Sequence, residues 1–147
     1  MGYTTKFSGT FNLSRPLTIS EAKTLMDIYD EGDADMVKET FGVHTYLQWV
    51  PTETLDGIVW DGEEKLYHYE ELLLALIGWL SDRGIRVNGR VFWSGGDTTD
   101  NGELTVENSV LSSSRNVKTS ERSAKPLTPA KLAKIALEMV AAQSAGD

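Results

Sequence analysis

The chain has no cysteine. That excludes disulfides, zinc–thiolate sites and a thiol nucleophile. Histidine is nearly absent, with only His44 and His68, which leaves little for a histidine metal cage or proton relay. No apolar run reaches the ~18–20 residues of a membrane span. The opening MGYTTKFSG lacks the basic and apolar regions of a secretory signal. There is no GxSxG elbow, phosphate loop or dinucleotide fingerprint. The expectation is a soluble, cytosolic protein with no membrane association, no cofactor, no metal and no catalytic residue set.

What is present is an ordinary globular composition with an uneven charge. The 147 residues are 40% hydrophobic and 24% charged, enough for one domain with a real core. The net charge is −8. Residues 1–110 hold eight Lys and Arg against 19 Asp and Glu, a net of −11, and residues 111–147 hold six against three, a net of +3. A body this acidic repels phosphates, which disfavours direct nucleic-acid binding. It suits either a plain solvated surface or one that competes for a basic protein groove.

Periodicity then divides the chain. Tyr3, Thr5, Phe7, Gly9 and Phe11 alternate with more polar neighbours and predict a strand over about 3–12, ended by Pro16. Thr18 and Glu21 form a capping-box pattern, and Ala22, Leu25, Met26 and Tyr29 share one helical face, predicting a helix over about 19–31. DEGDADMVKETFGVH, residues 30–44, is acidic and lacks sustained periodicity, so it reads as a loop. TYLQWV and GIVW read as short strands joined by PTETLD in a hairpin. From Tyr69 to Leu80 nearly every residue is apolar, with glutamates before it and Arg83-Gly84 after it, predicting a helix over about 67–82. IRVNGRVFW alternates, with a bulge expected near Gly89, and ELTVENSVL reads as one last strand.

Composition shifts at Ser112. SSSRNVKTSERSAKP has no apolar face and reads as a flexible basic linker over 112–127. Thr128-Pro129 opens PAKLAKIALEMVAA, an amphipathic helix over 128–143 with a stripe of Leu132, Ile135, Ala136 and Met139. The expected organisation is an α+β domain over 1–111, a two-layer sandwich in β-α-β-β-α-β-β order, plus a tethered helix. That order is ferredoxin-like with one added strand.

Gln48-Trp49, the stretch WDGEEKLYHY from Trp60 to Tyr69, NGRVFW from Asn88 to Trp93, and Val106 to Asn108 carry a resemblance. Over about residues 46–110 the chain resembles a family of small proteins from bacteriophages, prophages and bacterial genomes. These share a QW strand, a WDG-E-K-x-Y-x-Y stretch, an NG-x-V-x-W strand and a terminal V-x-N strand. The resemblance implies a phage or mobile-element setting and no assigned catalytic activity.

The candidate sites follow. Asp97, Thr99 and Asn101-Gly102 resemble the start of an EF-hand loop, but position twelve is Asn108 where a bidentate Glu is needed. A hairpin tip is the better reading. Asp30, Glu31, Asp33 and Asp35 form an acidic cluster suited to a solvated loop or a basic partner. Trp49, Trp60 and Trp93 are core residues or, where exposed, interface anchors. Arg86 and Arg90 share a strand face as an ion-paired surface or an anion patch. The nearly all-round apolar helix at 67–82 argues for cover by the C-terminal helix or by a second copy in a homodimer. The leading expectation is a non-enzymatic interaction module whose partner is a host or defence protein with a basic surface. The alternative is a binder of small anionic nucleotides through Arg86, Arg90 and the tryptophans. A carboxylate-held metal hydrolase comes third.

Overall fold

A computed structural model describes residues 6–31, 34–43, 45, 47–62, 68–95, 101–115 and 122–145, with the side chains of 31, 34 and 139–145 left aside. The elements run β1 (Lys6–Leu13), α1 (Ile19–Glu31), α2 (Ala34–Phe41), β2 (Trp49–Pro51), β3 (Gly57–Trp60), α3 (Tyr69–Ser81), β4 (Val87–Ser94), β5 (Asn101–Glu107), β6 (Val110–Arg115) and α4 (Pro129–Ala145). The protein is α+β. Among the described residues six strands form one antiparallel sheet in the order β2-β3-β1-β4-β5-β6.

The alternation read from sequence decides which face is buried. Phe7 and Phe11 of β1 lie in register with Trp93 and Gly89 of β4, and Val91 and Gly89 with Leu104 and Val106 of β5. Phe7, Phe11, Val91, Trp93, Leu104 and Val106 join one core with Leu25 of α1, Val37 of α2, Leu72 and Leu76 of α3, and Leu132 of α4. The helices therefore cover this face. Arg86, Asn88 and Arg90 occupy the opposite one and are exposed.

α1 begins as its capping box dictates. The Glu21 amide donates to Thr18 Oγ1 at 3.1 Å, and the Thr18 amide donates to Glu21 Oε1 at 2.9 Å. α4 is capped by Thr128, whose hydroxyl accepts the Lys131 amide at 3.1 Å, with Pro129 in the first turn.

Four features depart from the sequence reading. First, residues 34–41 form α2, not loop. The helix has two turns and buries Val37, while Phe41 stacks edge-on against Trp79 at 6.5 Å, a tertiary contact that periodicity could not register. Second, β2 is confined to Trp49–Pro51, shorter than the expected strand. Third, Gly89 marks no bulge. β1 and β4 pair through eight consecutive residues, with Gly9 and Gly89 at φ 115° and 137°. A Cβ at Gly9 would meet the Arg90 carbonyl at 2.7 Å, and one at Gly89 the Thr10 carbonyl at 2.8 Å. The two glycines let β1 and β4 approach closely at the middle of the sheet.

Fourth, ELTVENSVL is a hairpin. Asn108 and Ser109, at φ 51° and 66°, make a two-residue turn of the I′ kind that reverses the chain into β6. β6 extends through Ser112–Arg115, where composition suggested the start of a linker. The second half of that segment is bound to the body. Ser123 Oγ accepts the Gly9 amide at 3.0 Å, the Ala124 amide donates to Thr10 Oγ1 at 2.9 Å, and Leu127 is buried.

Candidate functional site

The face that α1 turns toward α4 carries Ile19, Lys23, Met26, Asp27 and Asp30, a helical stripe of spacing i, i+4, i+7, i+8, i+11. α4 answers with Pro129, Leu132, Ala133 and Ala136. Leu132 is buried against the core, which seats α4 at one end. Ala133 and Ala136 are too small to fill the space beside α1, and a groove of about 250 Å³ remains. Its floor is apolar: Ile19, Met26, Leu132 and the two alanines. Its α1 wall is charged, with Lys23, Asp27 and Asp30. Lys23 pairs with Asp27 at 2.9 Å, both well exposed, and Asp30 adds a further carboxylate. Leu137 continues the Ala133 row by one turn and is 71% exposed.

A second polar feature lies at the start of α1. The Arg15 guanidinium makes a two-pronged contact with the Glu21 carboxylate at 2.9 and 3.0 Å and donates to the Arg83 carbonyl at 3.0 Å. Its hydrogen bonds hold the Glu21 carboxyl down to about 2, against the opposing effect of burial and with help from the Thr18 cap. This ties the exit of β1 to the ends of two helices.

The three tryptophans are brought together, as packing. Phe7 is the hub, with ring centroids 5.1 Å from Trp49, 5.5 Å from Trp60 and 5.1 Å from Tyr69, all edge-on. Trp49 pairs with Trp60 across β2 and β3, and Trp93 pairs with Phe7. Trp49 is fully buried and its indole N–H donates to the Tyr69 carbonyl at 3.1 Å. Trp93 is also buried, and Trp60 is half-buried. Arg90 is exposed on the sheet face opposite the core and stands over the buried Phe92, 5.7 Å from its ring. Register sets it opposite Thr105, so Glu103 and Glu107 are its diagonal neighbours. Arg86, just before β4, is exposed, and its amide donates to Ser14 Oγ at 2.9 Å.

Of the acidic cluster, Asp30 lines the groove, and Asp35 is exposed in the first turn of α2. Glu31 closes α1; its side chain, Asp33 and His44 lie outside the described residues. So do residues 96–100, which include Asp97 and Thr99 of the calcium-like motif, while its Asn101 and Gly102 lie buried in β5. Its last position, Asn108, sits in a strand-flanked turn. His68 is exposed, 3.5 Å from Glu71. Among the described residues no three His, Asp or Glu gather as metal ligands. No described helix is long and apolar enough to cross a membrane.

The apolar helix that prompted a dimer, α3, is covered in part by α2 and by the Arg83 guanidinium, 3.6 Å over the Trp79 ring. Leu74 stays 53% exposed. Sequence reasoning named Asp30 but missed Ile19, Lys23, Asp27, Ala133 and Ala136 as one site. The available signal was the paired i, i+4 spacing in both helices. No protein-family model, curated protein or solved structure matches the chain.

Proposed function

We propose that the chain is a non-enzymatic protein-interaction module that takes a basic amphipathic helix of a partner into the groove between α1 and α4. The observation that carries this reading is an apolar groove floor beside an α1 wall that holds two carboxylates and one lysine. A helix with apolar residues at i, i+3, i+4 and i+7 would bury against the floor, and its lysines or arginines would face Asp27 and Asp30. The acidic body, net −8 over the whole chain, would speed the encounter. In the phage or mobile-element setting that the sequence resemblance implies, the partner is a host or defence protein and the module its inhibitor, in the cytoplasm of the host. The nucleotide-binding alternative rests on Arg86 and Arg90, and the carboxylates beside Arg90 weigh against it.

The test is a titration with a synthetic lysine-rich amphipathic helix, read by fluorescence anisotropy, beside a peptide of the same composition in scrambled order. Saturable binding of the patterned peptide is expected, weakened by salt as screening requires. Ala133→Trp, at an exposed position that fills the groove, should lower affinity at least about tenfold, the cost of losing some 1.4 kcal/mol of contact. Asp30→Lys should weaken it less. Equal binding of both peptides, or no effect of Ala133→Trp, overturns the reading.

A further inference from the structure

The sheet has two edges, and only one is occupied among the described residues. Outside β2 the Glu53 amide donates to the Lys125 carbonyl at 3.0 Å and the Leu127 amide to the Pro51 carbonyl at 2.8 Å, with Thr52 and Pro126 in a bridge. Outside β6 no described residue pairs with the strand.

Which groups this edge presents follows from the hairpin. Glu107 and Val110 flank the two-residue turn and form its hydrogen-bonded closing pair. Alternation then directs the N–H and C=O groups of Val110, Ser112 and Ser114 toward β5. Those of Leu111, Ser113 and Arg115 point away from the sheet. The strand carries few of the features that blunt an exposed edge. It has no proline, its register with β5 is unbroken, and Arg115, at its end, is its one charge. Ser112, Ser113 and Ser114 present small side chains that obstruct nothing.

We propose that β6 pairs edge to edge, antiparallel, with β6 of a second copy of this chain, about a twofold axis at Ser113. The self-complementarity of the edge selects this occupant. The outward-facing residues are spaced evenly about Ser113, so this register gives every outward N–H an outward C=O on the other copy. Leu111 lies opposite Arg115 of the second copy, whose aliphatic stem covers it, and the one charge of the strand meets no like charge. A shift of one residue sets outward groups against inward ones, and a shift of two leaves some unpaired. The result is a continuous twelve-stranded sheet, two of the observed six, with an isologous interface. Because each copy carries −8, pairing strengthens as salt rises, opposite to the salt response of a basic helix in the groove.

The experiment is the mass of the full chain by sedimentation across a dilution series at low and high salt. A shift toward twice the chain mass at high salt is expected. Ser113→Pro removes only an outward-facing N–H and should return the mass to that of one chain, with the circular dichroism spectrum unchanged. Ser113→Cys, in a chain with no other cysteine, should give a covalent dimer on oxidation. That variant decides the matter if the proline variant misfolds. A single-chain mass at every concentration and salt, a dimer that survives in folded Ser113→Pro, or no cross-linking of Ser113→Cys overturns the proposal. None of these outcomes depends on the groove.

Discussion

The β2 side of the sheet and the β6 side are built differently. Every residue of β2 is buried, three aromatic rings (Trp49, Trp60 and Tyr69) crowd around Phe7 and Phe11 beside it, and its edge is clipped by a segment more than 70 residues further along the chain. β6 is exposed at nearly every position and holds three successive serines. Both strands end the same sheet, so backbone pairing alone does not distinguish them. The difference lies in what the chain brings back. Leu127 and Leu132 return to the core beside β2 and α1, and nothing comparable among the described residues returns to β6. Stability should concentrate on the closed side and association on the open one.

The largest expected effect probes that asymmetry directly. Trp49→Ala removes a fully buried indole, its edge-on contacts with Phe7 and Phe11, and a hydrogen bond to the Tyr69 carbonyl. Such truncations cost about 3–5 kcal/mol. Ser112→Ala, exposed on β6, should stay within about 0.5 kcal/mol. Chemical denaturation of both variants measures the contrast, and comparable losses would show that the two sides share the stability evenly.

A chain ended after Arg115 makes the two edges alike. It keeps all six strands but loses the cover of β2 and the burial of Leu127 and Leu132. The burial of the two leucines is lost with it, and the chain entropy released by the segment offsets part of that loss. The shortened chain should remain folded by circular dichroism and melt earlier. It should also aggregate through the uncovered β2 edge and the bared Ile19 and Met26 of α1. Unfolding instead would mean that 1–111 is no autonomous domain and that the C-terminal segment belongs to its core.

This contrast was only half legible in the sequence. α1, β3 and α3 were, because each has a strong local signature: a capping box, a β-branched run between turn residues, and a long apolar stretch with charged ends. α4 was legible for its threonine cap and following proline. α2 was hidden because eight residues allow one i, i+4 repeat, Val37 to Phe41, inside an acidic stretch. β6 was hidden because Asn-Ser is a weaker turn signal than Asn-Gly, and serines carry no alternation. The clip on β2 is made by main-chain groups of residues 125 and 127, which side-chain patterning does not encode. Of the groove, charge pointed to Asp30. Its floor comes from two helices about 100 residues apart, so it exists only after folding.

The smallest effect belongs to neither edge. Arg15 and Glu21 join the exit of β1, the first turn of α1 and the Arg83 carbonyl beyond α3. The folded Glu21 carboxyl titrates at about 2, below its ordinary 4.5, so its stabilisation is complete above about pH 4.5 and is lost as pH falls toward about 2. At 1.36 kcal/mol per pH unit the shift is worth at most about 3 kcal/mol. Arg15 is 39% exposed and solvent screens the pair, which reduces the expected contribution to about 1–2 kcal/mol. Glu21→Gln should lower stability by that amount at neutral pH and flatten the acid slope between about pH 4.5 and 2. Trp49→Ala and the shortened chain should keep that slope, because neither touches the pair. Denaturation midpoints of all four proteins across this window make the comparison. An unchanged slope in Glu21→Gln would assign the acid sensitivity to other carboxylates. A slope lost in the shortened chain would show that α4 and the α1 start are coupled, and that the closed side of the sheet extends through α1 to the Arg15 contact.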